Sequence, residues 1–239
     1  LVLYYQPIVD LDTRQVVSAE ALLRLRDDDG VLMSPGELID AAESSGLITL
    51  LGTQVLRATG EQLAVWISRN DPMGIDEISV NISPRQLADP DLPNQVQGAL
   101  NASGIDADRL CLEITENVFI GQQSTIDASI SYLRALGVKI GLDEFGSGQS
   151  SLSYLKRFPL DFVKIDRTLI SGIGRSEQDT AIVRATIDLA HNLDLTVIAV
   201  GVETEAQLDA LDLLGCDRIQ GYFFAPPMAP DEFEAFSIS

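Results

Sequence analysis

The chain has 239 residues, 46% of them hydrophobic, which is enough for one well-filled core. Its formal net charge of −20 argues against DNA or RNA as a partner, because nucleic-acid-binding surfaces are built from clustered lysine and arginine. No apolar run approaches the ~20 residues of a membrane-spanning helix, and no signal peptide is recognisable.

The predicted elements alternate between short runs rich in valine, isoleucine and leucine and longer stretches with apolar residues every three to four positions. This pattern predicts an α/β fold with mostly parallel strands. The predicted strands span residues 3–9, 15–25, 77–82, 109–115, 138–142, 162–165, 195–200 and 218–220. The predicted helices span residues 35–45, 49–67, 92–103, 125–136, 178–192 and 205–214.

Eight strands are the number of a (β/α)8 barrel, and a doubly wound open sheet is the alternative. Only the turn LDTRQ separates the first two strands, so the barrel is expected to depart from the regular plan at its start. We interpret residues 1–239 as one domain. Because the chain opens without methionine in a strand-like run, we expect it to be a piece of a longer multidomain protein.

Polar side chains recur at the ends of the predicted strands. Barrel active sites collect at the C-terminal ends of strands, so we expect these side chains to converge at one mouth. One acidic residue at a strand end is more often a helix cap or a surface turn, and the argument for a site is therefore their number. They are Glu20, Asn81, Ser83, Glu113, Thr115, Asp143, Glu144, Lys164, Asp166, Glu203 and Gln220.

The chemistry of this set indicates a metal site of hard oxygen ligands. Carboxylates and an amide, with no histidine or cysteine, favour magnesium, manganese or calcium over structural zinc. Two such ions could bind a phosphodiester and stabilise its in-line displacement. The lone His191 sits late in a predicted helix and is interpreted as a helix-end residue. Cys111 and Cys216 lie in apolar strand patterns and are expected to be buried free thiols.

The segment DEFGSGQSSLSYL is a glycine- and serine-rich loop that runs into a helix after the fifth strand. It lacks the Gly-Lys-Ser/Thr end of a P-loop. We favour a functional loop over a plain linker, because it begins on Asp143 and Glu144.

Nearly the whole chain resembles an EAL domain, a module that binds and usually hydrolyses cyclic di-GMP. The matching segments, in order, are YYQPIVDL, Glu20-Ala21-Leu22 with Arg24, SVNIS, LEITEN, LDEFGSGQSSLSYL, VKIDR, VGVET and QGYFFAPP. The resemblance implies a modified (β/α)8 barrel with an irregular first strand. It also implies a homodimer, attached signalling domains and a cytoplasmic location.

The resemblance also assigns roles to individual residues. Magnesium or manganese would be the metal, with calcium as an inhibitor. Lys164 would help to hold the attacking water, Asp166 would support it, and Glu116 would brace the loop after Asp143. The implied metal ligands are Glu20, Asn81, Glu113 and Asp143 for the first ion, with Asp143 and Glu144 serving a second. The implied nucleotide contacts are Gln6, Leu22, Arg24, Gln220, Gly221 and Phe224, with Arg24 reaching a phosphate.

Two departures from the family pattern fall on the second metal. Glu144 stands where the active pattern has a second aspartate, and Val200 stands where it has a glutamate. Valine cannot bind a cation, and one extra methylene is enough to displace a carboxylate when geometry is held to ~0.5 Å. The favoured hypothesis is therefore a cyclic di-GMP receptor with absent or very weak hydrolysis. The alternatives are a slow phosphodiesterase that yields pGpG and a dimerisation scaffold that binds nothing.

Overall fold

The strands and helices of the chain follow the predicted alternation closely. A computed structural model describes residues 1–26, 29–33, 35–69, 74–115, 123–147 and 152–236. Within these ranges the strands are β1 Val2–Asp10, β2 Val16–Arg26, β3 Leu32–Met33, β4 Glu77–Asn81, β5 Leu110–Thr115, β6 Lys139–Phe145, β7 Phe162–Ile165, β8 Thr196–Val200 and β9 Arg218–Gln220. The helices are α1 Gly36–Ser45, α2 Ile48–Ser68, α3 Pro84–Leu87, α4 Leu92–Ser103, α5 Gln123–Leu136, α6 Leu152–Arg157, α7 Arg167–Ile170, α8 Glu177–His191, α9 Glu205–Leu213 and α10 Pro230–Glu234.

Eight of these strands close into a barrel. The order is β1-β9-β8-β7-β6-β5-β4-β2, and an additional β1–β2 pairing joins the two ends. Strand β1 is antiparallel to both β2 and β9, whereas the pairings from β2 through β4 to β9 are parallel. The predicted barrel with an irregular first strand is confirmed, and the open sheet is excluded.

The inward-facing side chains form layers, because residues two apart on a strand share a face. A polar layer at the N-terminal end contains Glu77, which pairs with Lys139 and Arg218. An apolar layer above it contains Ile8, Cys111, Phe162 and Ile198, which pack together. Two residues further along the parallel strands β5, β7 and β8 lie Glu113, Lys164 and Val200 at the C-terminal mouth. On the antiparallel β1 the corresponding residue is Gln6, two residues before Ile8.

The larger core lies between the barrel and its helices, and helix α2 is its main outer partner. Trp66 of α2 is fully buried and stacks on Phe233 of α10, with ring centroids 4.9 Å apart. Tyr5 of β1 meets the Trp66 ring edge-on at the same centroid distance of 4.9 Å. These three rings join the irregular first strand to its covering helices.

The remaining expectations on local structure have clear outcomes. Cys111 and Cys216 are buried free thiols, as expected. His191 ends α8, and its Nε2 lies 2.9 Å from Asp217 Oδ2, which confirms the helix-end interpretation. No helix in the described ranges is long and apolar enough to cross a membrane.

Candidate functional site

Three carboxylates and one ammonium group meet at the C-terminal mouth of the barrel. Glu20, Glu113 and Asp143 come from β2, β5 and β6, and each offers an oxygen within 4.8 Å of the others. Lys164 of β7 lies among them, with Nζ 2.7 Å from Glu20 Oε2, 2.7 Å from Glu113 Oε2 and 3.9 Å from Asp143 Oδ2. The structure thus brings four of the predicted site residues together.

Because the cluster is buried, its charged groups act strongly on one another's pKa values. Lys164 and Glu113 are each 1% exposed, so water screens their charges little. Burial alone would lower the pKa of Lys164, but Asp143, Glu113 and Glu20 outweigh it and raise that pKa well above its usual range. Lys164 therefore carries its proton at neutral pH.

The carboxylates respond to burial and to each other in different ways. Burial, followed by repulsion from Glu20, raises the pKa of Glu113 to about 8. Burial also raises the pKa of Asp143, against the attraction of Lys164. For Glu20 the charge and hydrogen bond of Lys164 outweigh burial and lower the pKa. The site therefore holds more negative charge than one ammonium group balances.

The donor atoms fit one divalent cation. A bound cation would displace the proton that the raised pKa of Glu113 favours, and three ionised carboxylates with one ammonium would then leave a formal charge of −2 for the ion to neutralise. Glu113 Oε1 is buried and has no hydrogen-bond partner among the described residues. The side-chain nitrogen of Asn81 donates to Glu20 Oε1 at 2.6 Å, which leaves the amide oxygen of Asn81 as the atom that a hard cation prefers.

A bulge in β6 gives Asp143 and Glu144 different environments. The β6–β7 register shifts between Leu142 and Phe145, so the two acidic residues lie where the regular ladder is interrupted. Glu144 has φ +57°, and its backbone N–H donates to Asp143 Oδ1 at 2.7 Å. Asp143 thereby faces the cluster, whereas the Glu144 side chain is exposed and lines a neighbouring cavity.

Val200 ends β8 at the same mouth. It follows the inward-facing Ile198 by two residues, so it shares the inner face of the barrel. Its register partner on β9 is Gln220, whose side-chain nitrogen donates to Glu20 Oε2 at 2.7 Å. An apolar side chain therefore stands beside the polar cluster.

The cavity beside the cluster has a volume of about 390 Å³, within the range of small-molecule sites. Leu22 and Arg24 line it from β2, and Asn81, Thr115 and Glu144 line it on the side of the cluster. Arg24 is half-buried, and its guanidinium donates to the carbonyl of Leu23 at 2.8 Å. The predicted contacts Leu22 and Arg24 therefore lie in one cavity with Asn81 and Glu144.

The predicted contacts Gln6 and Gln220 are buried beside the cluster. Gln220 Nε2 donates to Gln6 Oε1 at 3.1 Å as well as to Glu20, and Gln6 Nε2 donates to the carbonyl of Ala225. The Gln220 nitrogen thus supports Glu20, while Gln220 Oε1 is buried without a partner among the described residues. Their contact with a nucleotide stays a prediction.

Gly221 and Phe224 follow Gln220 in the turn after β9. A Cβ on Gly221 would come within 2.1 Å of the Val202 carbonyl oxygen, so this turn requires glycine. Phe224 packs partly against the main core. Phe223 is 37% exposed and meets the Phe224 ring edge-on at 5.1 Å.

The two other predicted catalytic residues differ in what the structure says of them. Asp166 is the N-cap of α7, where its Oδ1 accepts from the backbone N–H and the hydroxyl of Thr168. It lies two residues after Lys164, next to the cluster. Glu116 lies outside the described residues.

Sequence reasoning did not find the helical walls of the cavity. These are Pro35, Ile39 and Glu43 on the side of α1, and Ile48, Leu51, Gly52 and Val55 on α2. The apolar residues among them are spaced as ordinary core residues are, so the sequence does not distinguish a cavity wall from the core. The role of Gln86, which lines the same cavity, was missed for the same reason.

Comparison with known proteins gives matches over nearly the whole chain. The sequence profile of the EAL domain matches residues 1–227. The signaling protein YkoW of Bacillus subtilis is 38% identical over 237 residues, which are 99% of this chain and 29% of that protein. The bifunctional diguanylate cyclase/cyclic di-GMP phosphodiesterase MucR of Pseudomonas aeruginosa is 37% identical over 98% of this chain and 34% of its own length. The chain spans about a third of the length of such curated relatives.

Solved structures match in three dimensions as well. The MucR phosphodiesterase in complex with cyclic di-GMP superposes with a TM-score of 0.90 at 37% identity, covering 97% of this chain and 93% of that one. The FimX EAL domain of Xanthomonas citri, also in complex with cyclic di-GMP, gives a TM-score of 0.85 at 26% identity, covering 95% and 88%.

Proposed function

The chain belongs to the EAL domain family, and we propose that it is a cyclic di-GMP receptor domain with little or no hydrolytic activity. The observation that carries the proposal is the buried cluster of Glu20, Glu113, Asp143 and Lys164 beside a cavity lined by Arg24. The cluster fits a cation, and Arg24 is suited to a phosphate because guanidinium groups bind phosphate oxygens in pairs. The complexes of MucR and FimX with cyclic di-GMP support this ligand.

We assign one metal site to oxygen atoms of Glu20, Glu113, Asp143 and Asn81. Magnesium or manganese suits these hard ligands, and calcium would bind without supporting turnover. A divalent ion in this place supplies Lewis-acid polarisation of a phosphodiester. The ammonium group of Lys164 holds Glu20 and Glu113 in position and is close enough to orient a water beside Asp143.

The weakness of hydrolysis in this proposal rests on Val200 and Glu144. A second ion would need ligands on the side of the cluster where β6 and β8 end. Val200 offers no ligand atom there, and Glu144 is exposed at the cavity rather than grouped with the three clustered carboxylates. The cluster as described therefore supports binding better than the two-ion chemistry of phosphodiester cleavage.

Two calorimetric titrations and one turnover assay test the receptor proposal. Cyclic di-GMP is titrated into the chain in chelator and again in calcium, and cleavage is then followed with magnesium and with manganese. Micromolar or tighter binding that strengthens in calcium, without turnover, supports the receptor. Failure to bind in either condition, or rapid turnover, overturns it.

A slow phosphodiesterase that yields pGpG is the second candidate. The observation that favours it is the retention of Lys164 within reach of all three carboxylates. Linear pGpG that accumulates in manganese, and that disappears when Glu113 is replaced by glutamine, would distinguish this candidate from a pure receptor.

The receptor proposal also includes a way in which ligand binding would be reported to other parts of a longer protein. The curated relatives are about three times as long as this chain, so their EAL segments are attached to other parts of those proteins. We propose that residues 1–239 act as one module, which pairs with a second copy and reports ligand occupancy to attached signalling domains.

A further inference from the structure

The turn that carries Asn81 into the site is closed by a reciprocal cap. Gln86 Oε1 accepts from the backbone N–H of Ser83 at 3.2 Å, and Ser83 Oγ accepts from the backbone N–H of Gln86 at the same distance. The next residue after Asn81, Ile82, donates its N–H to the carbonyl of Glu113 at 2.8 Å. Asn81, the last residue of β4, is therefore followed directly by a turn that Gln86 closes.

Gly52 of helix α2 packs directly against the Gln86 side chain that closes this turn. Gln86 is 4% exposed, and its Nε2 is buried without a hydrogen-bond partner among the described residues. A Cβ on Gly52 would lie 1.8 Å from Gln86 Nε2 and 2.8 Å from its Cδ. Gly52 has no positive φ, so a larger residue is opposed by the Gln86 side chain and not by its own backbone.

From this contact we infer that Gln86 is a positioning residue for Asn81, held in place by Gly52 of α2, and that the pair sets the cation affinity of the candidate site. The inference rests on the proposed function, since it takes Asn81 as a ligand there. Its physical basis is the contact itself: the Gln86 amide is held against Gly52 although its buried donor has no partner among the described residues, and such a donor is costly to keep. Packing against Gly52 fixes the amide so that its oxygen meets Ser83.

A second contact holds α3 at Arg85, the residue next to Gln86. The Arg85 guanidinium donates to the carbonyl of Glu43 near the end of α1. The short helix α3 is therefore tied to α1 through Arg85 and to α2 through Gln86. A displacement of the Asn81 oxygen by more than ~0.5 Å is enough to spoil a ligand, so these ties act on the site itself.

Four variants separate positioning from simple packing. Gly52→Ala forces Gln86 out of its place, and Gln86→Ala removes the acceptor for Ser83. The double variant with both changes puts the new methyl group into the space that Gln86 leaves. Gly98→Ala is the matched control, because Gly98 is exposed in α4 and a Cβ there meets no atom within 4 Å.

The measurements are the Mn²⁺ affinity by calorimetry, the melting temperature, and the NMR signals of the Asn81 side-chain amide in the metal-free chain. Each single variant is expected to weaken Mn²⁺ binding about tenfold or more and to shift the Asn81 signals. The double variant is expected to melt above Gly52→Ala and still bind Mn²⁺ about tenfold more weakly than the unaltered chain, since the cap is absent. Gly98→Ala is expected to leave affinity and signals unchanged.

Two results overturn the inference: Mn²⁺ affinity that recovers together with stability in the double variant, and Asn81 signals that do not move in Gly52→Ala. If the unaltered chain takes up neither Mn²⁺ nor cyclic di-GMP, the proposed function is overturned instead. The Asn81 signals of the metal-free variants then decide the positioning role alone.

Discussion

At the scale of single residues, Lys164 is the group on which the mouth of the barrel depends. Its ammonium is the one positive charge in contact with Glu20, Glu113 and Asp143 among the described residues, and all four groups are largely removed from water. Removing one partner of a buried ion pair is costly, because the other partner stays buried and unbalanced. A cation and Lys164 therefore share the task of balancing the same carboxylates.

We expect Lys164→Met to destabilise the chain by about 3–5 kcal/mol in chelator. The three carboxylates then lose their counter-charge, so Mn²⁺ is expected to restore part of the stability. Urea unfolding with and without Mn²⁺ measures both effects. Lys156→Met is the control, since Lys156 is exposed and its loss is expected to cost within about 0.5 kcal/mol. Equal losses in the two variants would contradict this view of the site.

Val200 and Glu144 can be tested as a pair by restoring the residues of the active pattern. The double variant Val200→Glu with Glu144→Asp is expected to raise hydrolysis of cyclic di-GMP in manganese on the order of 100-fold over the unaltered chain. Each single change is expected to give less, because the two act on one ion. Production of pGpG is the measurement. If the double variant binds ligand without a gain in cleavage, the loss of a second ion is not the reason for the weak hydrolysis that we propose.

A glutamate at position 200 should also destabilise the metal-free chain, and this effect provides an independent check. The change Val200→Glu would add negative charge to a cluster that already raises the pKa of Glu113 through burial and repulsion. The melting temperature of the double variant should therefore depend more strongly on Mn²⁺ than that of the unaltered chain.

Most of the candidate site could be predicted residue by residue, and the reason is geometric. Glu113, Asp143 and Lys164 each end a predicted parallel strand, and parallel strands end at the same side of a barrel. The packing of Gln86 against Gly52 could not be predicted. It joins residues from two helices that are distant in sequence, and only the packed structure brings them together.

At the scale of elements, the strands were easier to predict than the short helices. Strands β4, β5, β7 and β8 are short and mostly buried, and they are rich in β-branched and leucine residues, which is the usual pattern of a parallel strand in an alternating chain. Helices α3, α6, α7 and α10 have six residues or fewer, which is too short for a helical period to show. Strand β2 runs past Glu20 to Arg26, close to its predicted end at residue 25, because its outer half pairs with β1 and β3.

The opposite end of the barrel is closed by an ion cluster that spans three strands. Glu77 of β4 pairs with Lys139 of β6 at 2.5 Å and with Arg218 of β9. Burial alone would raise the pKa of Glu77, but the hydrogen bond to Lys139 and the charge of Arg218 outweigh it and lower that pKa. The cluster therefore stabilises the barrel only while Glu77 is ionised.

We expect Glu77→Gln to cost about 2 kcal/mol of stability at neutral pH. A lowered folded pKa gives stability that is fully present above the unfolded value of about 4.3 and is lost as pH falls through the folded pKa. The difference between the unaltered chain and the variant should therefore shrink below about pH 4 in urea titrations. Glu61→Gln, which breaks an exposed pair with Arg57, is the control and is expected to change stability much less, because water screens exposed ion pairs. A Glu77 effect that is independent of acid pH would contradict the ion-cluster account.

At the scale of the whole molecule, the site has to be distinguished from the surface. The chain carries 36 acidic and 16 basic residues, so any cation relieves self-repulsion to some degree. That general effect depends on ionic strength and falls off within a Debye length of about 10 Å at 0.1 M salt. Binding at the buried cluster follows the concentration of one ion relative to its dissociation constant.

We therefore expect Mn²⁺ to stabilise the chain beyond what sodium chloride of equal ionic strength achieves. At a hundredfold excess over the dissociation constant, one site adds about 2.7 kcal/mol, or roughly 5–10 °C in melting temperature for a domain of this size. Cyclic di-GMP added with calcium should raise the melting temperature again, because both ligands bind only the folded barrel. The matched variant is Glu113→Gln, which keeps shape and surface charge while removing one clustered carboxylate. If this variant gains as much from Mn²⁺ as the unaltered chain does, the stabilisation comes from the acidic surface and the buried cluster is not a metal site.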